Sequence, residues 1–203
     1  MHNNNTIYKM LTLGDSYTIG EGIPLFEGYP YQTVQILRSQ GHLFAAPEII
    51  ARTGWTTDEL DNAIAGARLL PSYDVVTLLI GVNNQYRGRS SEEYAAQFRG
   101  LLQQAIQFAA GRPEQVFVLS IPDWGVSPFA AGRDRATIAR QIDEFNNTAR
   151  EIADAYQVAL IDITPHSRSE GQLFTADGLH PAAAQYSFWA QQLAEAIAAR
   201  LHR

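Results

Sequence analysis

The sequence predicts an α/β protein built on a doubly wound, five-stranded parallel sheet, and three observations carry that expectation. Short apolar runs rich in Val, Ile and Leu alternate with amphipathic stretches, the order of βαβ units. The third run, Val75-Val76-Thr77-Leu78-Leu79-Ile80, is hydrophobic on both faces, as a central strand covered by helices on each side must be. The segments between runs are long enough for the crossover that each parallel pair requires.

The elements follow in order. A first strand over Tyr8–Leu13 leads into an irregular stretch, Gly14 to Tyr29, and a helix over about 28–40 that contains Pro30. A second strand, less apolar than the others, covers about Glu48–Arg52. Thr56 or Thr57 then caps a helix running to about Arg68. After the third strand, Asp74–Ile80, a Ser90 or Ser91 cap starts a helix. Its apolar face is Tyr94, Phe98, Leu101, Leu102, Ala105, Ile106 and Ala109, at helical spacing. The fourth strand, Gln115–Ile121, precedes an irregular stretch from Pro122 to Arg133. The stripe Ile138, Ile142, Phe145, Ala149, Ile152 and Tyr156 marks the next helix. A fifth strand, Gln157–Ile163, and a third irregular stretch, Thr164 to His180, lead to a last helix with Pro181 at its first position. No repeat, low-complexity tract or linker divides the chain, so residues 1–203 are expected to form one domain.

Composition bounds the function. With 46% apolar and 18% charged residues over 203 positions, the chain can bury a full core. A net charge of -6, without any run of Lys or Arg, speaks against nucleic acid as a partner. The absence of cysteine excludes disulfides, thiolate zinc sites and a thiol nucleophile. The N-terminus Met1-His2-Asn3-Asn4-Asn5-Thr6 lacks the basic-then-apolar pattern of a signal peptide. No stretch reaches the roughly 18 apolar residues of a membrane span. The expectation is a soluble, cytoplasmic protein with a small-molecule substrate, no cofactor and no metal; its oligomeric state is not legible.

Chemistry concentrates where strands end, the edge at which open α/β sheets bind ligands. Gly14-Asp15-Ser16 follows the first strand and Arg52-Thr53-Gly54-Trp55 the second. Gly81-Val82-Asn83-Asn84 follows the third, and Asp177-Gly178-Leu179-His180-Pro181 precedes the last helix. A hydroxyl is a poor nucleophile until a base takes its proton, and His180 is a base able to exchange protons near neutral pH. Asp177 can accept from the other ring nitrogen and so fix the tautomer. Backbone N–H groups at Gly54 and Ser16, with the Asn83 amide, are candidate donors to an oxyanion.

A Gly-Asp-Ser tripeptide alone recurs by chance in roughly one chain in twenty of this length, so single motifs decide little. As an ordered set, Gly14-Asp15-Ser16, Gly54, Gly81-Val82-Asn83 and Asp177-Gly178-Leu179-His180 resemble the SGNH (GDSL-type) hydrolases. The resemblance spans Leu11 to His180. It implies a three-layer α/β/α sandwich of flavodoxin-like SGNH hydrolase type and serine hydrolysis of esters or thioesters. It also implies Ser16 as nucleophile, His180 as base, Asp177 as orienting acid, and Ser16, Gly54 and Asn83 as the oxyanion hole. Asn84 stands where many members carry Asp and offers no carboxylate.

Around these residues, Trp55, Tyr86, Trp124 and Phe129 are candidates to line an acyl or sugar pocket, with core packing as the plainer alternative. Arg87 offers a cation to an acidic substrate or to a surface salt bridge. His166 competes with His180 as the base but has no carboxylate preceding it. The leading expectation is a metal-independent serine esterase acting on short-chain acyl esters, lysophospholipids or thioesters. A carbohydrate O-acetyl esterase is the nearest alternative. A flavodoxin-like module holding a flavin or phosphate is an alternative of another class, opposed by the acidic Asp15 and Glu21 and by the absence of a Walker motif.

Overall fold

The strands form one parallel sheet in the order β2-β1-β3-β4-β5, where β1 is Met10–Gly14, β2 Glu48–Ala51, β3 Val75–Leu79, β4 Val116–Leu119 and β5 Ala159–Ile161. The computed structural model describes residues 7–170 and 173–201. Register is continuous across the centre: Thr12 pairs with Ile49 on one side and Thr77 on the other. Every residue of β1, β3 and β4 is buried, which accounts for their nearly unbroken apolar sequence.

Helices cover both faces. They are α1 (Ser16–Ile19), α2 (Tyr29–Ser39), α3 (Thr57–Gly66), α4 (Val82–Tyr86), α5 (Ser91–Phe108), α6 (Arg135–Ala155), α7 (Thr164–Ser169) and α8 (Ala183–Leu201). The helices α2 and α8 pack on each other, and α5 packs against both α3 and α6, giving a three-layer α/β/α sandwich. The expected strands and long helices lie where the periodicity put them. Ser90 caps α5 by accepting from the Glu93 N–H at 3.2 Å. Asp134 caps α6 through Thr137. Thr56 caps α3 with a reciprocal Glu59 contact, the Thr56 N–H donating to Glu59 Oε2 at 2.9 Å.

Two features differ from the sequence expectation. The three irregular stretches contain α1 and α7 and several short 3₁₀ turns, elements too short for any hydrophobic period to show. Pro181 does not open the last helix. It forms an antiparallel bridge with Phe174, and α8 begins at Ala183. A ring with no N–H to offer is tolerated there because its neighbours close the loop: Thr175 N–H donates to the His180 carbonyl at 2.8 Å and Ala182 N–H to the Leu173 carbonyl at 2.9 Å.

The strand order reverses between β1 and β3, so the crevice outside their carboxyl ends is the topological switch point, the usual ligand position in such sheets. Ser16 leaves β1 there and Val82-Asn83 leaves β3.

Candidate active site

The turn after β1 is sharp because Gly14 permits it. A Cβ at Gly14 would lie 2.1 Å from Thr18 Oγ1 and 2.4 Å from the Leu79 carbonyl oxygen, so no larger residue lets α1 fold back over the sheet. Asp15 caps α1, its Oδ1 accepting the Tyr17 N–H at 3.0 Å. The Asp15 side chain is wholly buried and its Oδ2 has no hydrogen-bond partner. Burial therefore pushes its carboxyl up to about 7, against the pull of the Tyr17 N–H. Beneath it a chain of hydroxyls, Thr18 to Tyr29 to Thr77, runs down to the sheet with 3.3 Å at each step.

Ser16 opens α1 and is 5% exposed. It borders a cavity of about 180 Å³ together with Gly54, Asn83 and His180. Tyr17, Thr53, Val82, Tyr86, Trp124, Phe129 and Leu179 complete the wall, which is mainly apolar.

Asp177 and His180 meet through a tight loop rather than a helical spacing. Gly178 sits at φ +68°, in the left-handed region, and its N–H donates to the Thr175 carbonyl at 2.9 Å. This turn folds Asp177 back on the next residues. Its Oδ1 accepts from Thr175 Oγ1 at 2.7 Å, the Leu179 N–H at 2.8 Å and the His180 N–H at 3.0 Å. Its Oδ2 stands 2.6 Å from His180 Nδ1. Partial burial opposes ionisation of Asp177. The His180 ring, the two N–H groups and the Thr175 hydroxyl outweigh it and hold the carboxyl well below the usual carboxylate range. An ionised Asp177 makes Nδ1 the protonated nitrogen of a neutral His180, which leaves Nε2 as the basic one. The His180 ring also meets Tyr17 edge-on, with centroids 6.0 Å apart.

Gly54 lies in the turn between β2 and α3 at φ +84°. The Trp55 carbonyl beside it accepts from Asn83 Nδ2 at 2.9 Å. An amide nitrogen carries two hydrogens, so Asn83 retains one beyond this bond. Asn84, where the family resemblance anticipates Asp, is fully buried and makes two bonds to Thr57. Its Oδ1 accepts the Thr57 N–H at 3.1 Å, and its Nδ2 donates to Thr57 Oγ1 at 2.7 Å.

Three of the four candidate pocket aromatics border the cavity. Trp55 does not: its ring packs against the core, and only its carbonyl serves the site. Tyr86, Trp124 and Phe129 form one cluster, with centroids 5.4, 6.4 and 6.1 Å apart. The Arg133 guanidinium caps it at 4.9 to 5.4 Å from all three rings. Trp124 is fixed by its indole N–H, which donates to Gln85 Oε1 at 2.8 Å. His166 is stacked on Phe188 of α8 with centroids 3.8 Å apart and does not border the cavity. Tyr17, Val82 and Leu179 were not anticipated; each directly neighbours a predicted residue in sequence, the only signal that marked it.

Among the described residues no cluster of three or more His, Asp or Glu gathers at a metal-binding spacing, and no helix is long and apolar enough to cross a membrane.

Comparison with known proteins bears on the family and the fold. Residues 12–188 match the GDSL-like lipase/acylhydrolase family. No curated protein matches the chain by sequence. Among solved structures, the lipase/acylhydrolase from Enterococcus faecalis superposes with a TM-score of 0.72 at 21% identity, covering 96% of this chain and 97% of its own. Axe2, an acetylxylan esterase from Geobacillus stearothermophilus, gives a TM-score of 0.75 at 18% identity, covering 94% of each chain. TesA gives a TM-score of 0.71 at 19% identity, with 93% of this chain and 97% of its own covered. At these identities the superpositions speak for the fold. The family match over most of the chain makes this protein a member of the GDSL-like lipase/acylhydrolase family, a carboxylic ester hydrolase.

Proposed function

We propose that the protein hydrolyses short-chain carboxylic esters through an acyl-enzyme on Ser16. The observation that carries this reading is the 2.6 Å contact of Asp177 with His180, which borders the same cavity as Ser16, Gly54 and Asn83. In the first step Ser16 Oγ attacks the ester carbonyl carbon while its proton passes to His180 Nε2. The carbonyl π electrons move onto oxygen, and the resulting oxyanion accepts from the Ser16 and Gly54 N–H groups and the free Asn83 Nδ2 hydrogen. Asp177 stabilises the imidazolium through Nδ1. Collapse of the tetrahedral species breaks the bond to the alcohol oxygen, which leaves with the proton from Nε2. Water then attacks the acyl-enzyme by the same route and releases the acid.

Pocket size supports a short acyl group. About 180 Å³ is below the roughly 300–1,000 Å³ of sites that enclose a drug-sized ligand. A fluorophosphonate probe labels Ser16 in the native protein and fails to label Ser16→Ala; equal labelling of both overturns the nucleophile assignment. With p-nitrophenyl esters from acetate to palmitate, kcat/KM is highest at acetate to butyrate, and a maximum at long chains overturns the substrate assignment.

One observation favours a second reading, an O-acetylated carbohydrate as the substrate. Tyr86 and Phe129 stand 48% and 38% exposed at the mouth of the pocket, where ring faces can stack on a sugar beyond the acetyl group. Acetylated xylo-oligosaccharides alongside p-nitrophenyl acetate separate the two. The flavodoxin-like alternative loses its ground with the family assignment.

A further inference from the structure

The turn that presents Gly54 to the cavity is held largely from outside itself, and residues that follow β3 bond the carbonyls of both Gly54 and Trp55. Its own backbone supplies one bond, from the Trp55 N–H to the Arg52 carbonyl at 3.2 Å. Thr53 Oγ1 donates to Glu21 and the Thr56 N–H to Glu59 Oε2 at 2.9 Å, and three further bonds come from α4 and the residue after it. Arg87 Nη2 donates to the Gly54 carbonyl at 2.6 Å, Asn83 Nδ2 to the Trp55 carbonyl at 2.9 Å, and Asn84 Oδ1 accepts the Thr57 N–H at 3.1 Å. Arg87 is itself fixed at both ends. Its N–H donates to the Asn83 carbonyl at 3.0 Å, and its Nη1 pairs with Glu59 on α3 at 3.3 Å.

Glycine at a positive φ has wide freedom about both backbone dihedrals. Without a partner for the Gly54 carbonyl, the Gly54–Trp55 peptide is held only through its Trp55 N–H, and the two glycine dihedrals pass its rotation on to the Thr53–Gly54 peptide that carries the Gly54 N–H. A charge-assisted bond from a guanidinium is among the stronger ways to restrain a carbonyl. We propose that Arg87 is a positioning residue for the oxyanion site, fixing the Gly54 turn so that its N–H points into the cavity. The proposal rests on the catalytic reading of Gly54 and Asn83 above. Arg87 does not border the cavity itself and acts through the Gly54 carbonyl. The surface ion pair with Glu59 is thus the outer half of a two-sided hold, with the active-site turn as the inner half.

The test compares Arg87→Gln, Arg87→Lys and Asn83→Ala with the wild type. It reads kcat and KM on p-nitrophenyl acetate, inhibition by methylboronic acid and melting temperature. Methylboronic acid adds to a serine as a tetrahedral anion and reports the oxyanion site directly. Arg87→Gln is expected to lose on the order of 10-fold in kcat, the scale of a sub-ångström misplacement of a catalytic group. KM should change little and boronate inhibition should weaken by a similar factor. Arg87→Lys, which keeps the charge but cannot span Gly54 and Glu59 together, should fall between the two while melting close to wild type.

An Arg87→Gln enzyme that melts lower but keeps wild-type kcat and boronate affinity overturns the proposal and leaves Arg87 as a surface salt bridge. A change confined to KM also overturns it, assigning Arg87 to substrate binding. Should Arg87→Gln fail to fold, Arg87→Lys carries the same readings. If Asn83→Ala also retains wild-type kcat and boronate affinity, it is the oxyanion reading that fails. If Asn83→Ala loses both and the Arg87 variants lose neither, the positioning role alone is wrong.

Discussion

Asp15 should make the native protein less stable as the pH rises towards neutrality, and Asp15→Asn should remove that dependence. The carboxyl is wholly buried, its Oδ2 is without a partner, and no cation contributes to its environment. Its native pKa is raised from 3.8 to about 7. Between these values the unfolded chain is ionised at this position while the native state still holds the proton. The native state binds more protons there, so stability falls with rising pH. The contribution is complete below about pH 4 and is lost as the pH rises through 7. A shift of about three pKa units corresponds to about 4 kcal/mol in full, of which about 2–3 kcal/mol falls between pH 5 and 8. Asparagine keeps an oxygen for the Tyr17 N–H and never ionises. Urea unfolding followed by tryptophan fluorescence at pH 5, 6, 7 and 8 gives the comparison, because every other titrating group is common to both chains. The gap in unfolding free energy should move in favour of Asp15→Asn by about 2–3 kcal/mol from pH 5 to 8. Parallel profiles for the two proteins would show that Asp15 titrates alike in both states and would refute the reasoning.

Asn83→Ala removes one of the proposed oxyanion donors and should cost on the order of 10²–10³ in kcat; wild-type turnover in that variant removes Asn83 from the mechanism. Gly14→Ala sets a methyl 2.4 Å from the Leu79 carbonyl, a backbone atom that cannot step aside, so its melting temperature should fall sharply and a wild-type value would contradict the tight turn. Asn84→Asp takes the donor away from Thr57 Oγ1, which already gives its own proton to Gln97. It should destabilise by about 1–3 kcal/mol, the cost of breaking a buried polar contact, as read from chemical denaturation; unchanged stability would mean that the Thr57 and Gln97 side chains reorient freely.

The long elements were legible because hydrophobic period and capping chemistry agree in them. The doubly apolar β3, the Ser90 cap on α5 and the stripe on α6 each give one reading. The short helices were not legible, since four residues at Ser16–Ile19 and five at Val82–Tyr86 contain barely a turn. Yet these helices carry Ser16 and Asn83, so residue type and order marked the candidate residues while the way they are held was not legible. Pro181 shows the limit of a local rule. A proline before a helical pattern suits the first helical position, and here a bridge to Phe174 claims it two residues early. Trp55 shows another: its neighbours Gly54 and Thr53 face the cavity, and nothing in the sequence tells which side of the turn the indole takes.

The position of His180 is the part of the site that sequence order least explains. Strand β5 lies at the far edge of the sheet, separated from β1 by β3 and β4, so the loop after it has to cross back to reach Ser16. The last helix brings it there. It packs against α2, the helix that follows β1 and its loop. The fully buried Trp189 of α8 meets Tyr17 of α1 at 6.2 Å and Tyr29 of α2 at 6.4 Å. Gln32 of α2 donates to the Ala183 carbonyl at 3.4 Å, at the first residue of α8. A helix anchored this way fixes its own N-terminus beside β1, and the hairpin closed by Phe174 and Pro181 then carries Asp177 and His180 to the switch point. The hydrophobic face of α8 thus bears on the geometry of the candidate site as well as on stability, because burying Trp189 between two tyrosines anchors the helix that returns the chain from the edge of the sheet to its centre.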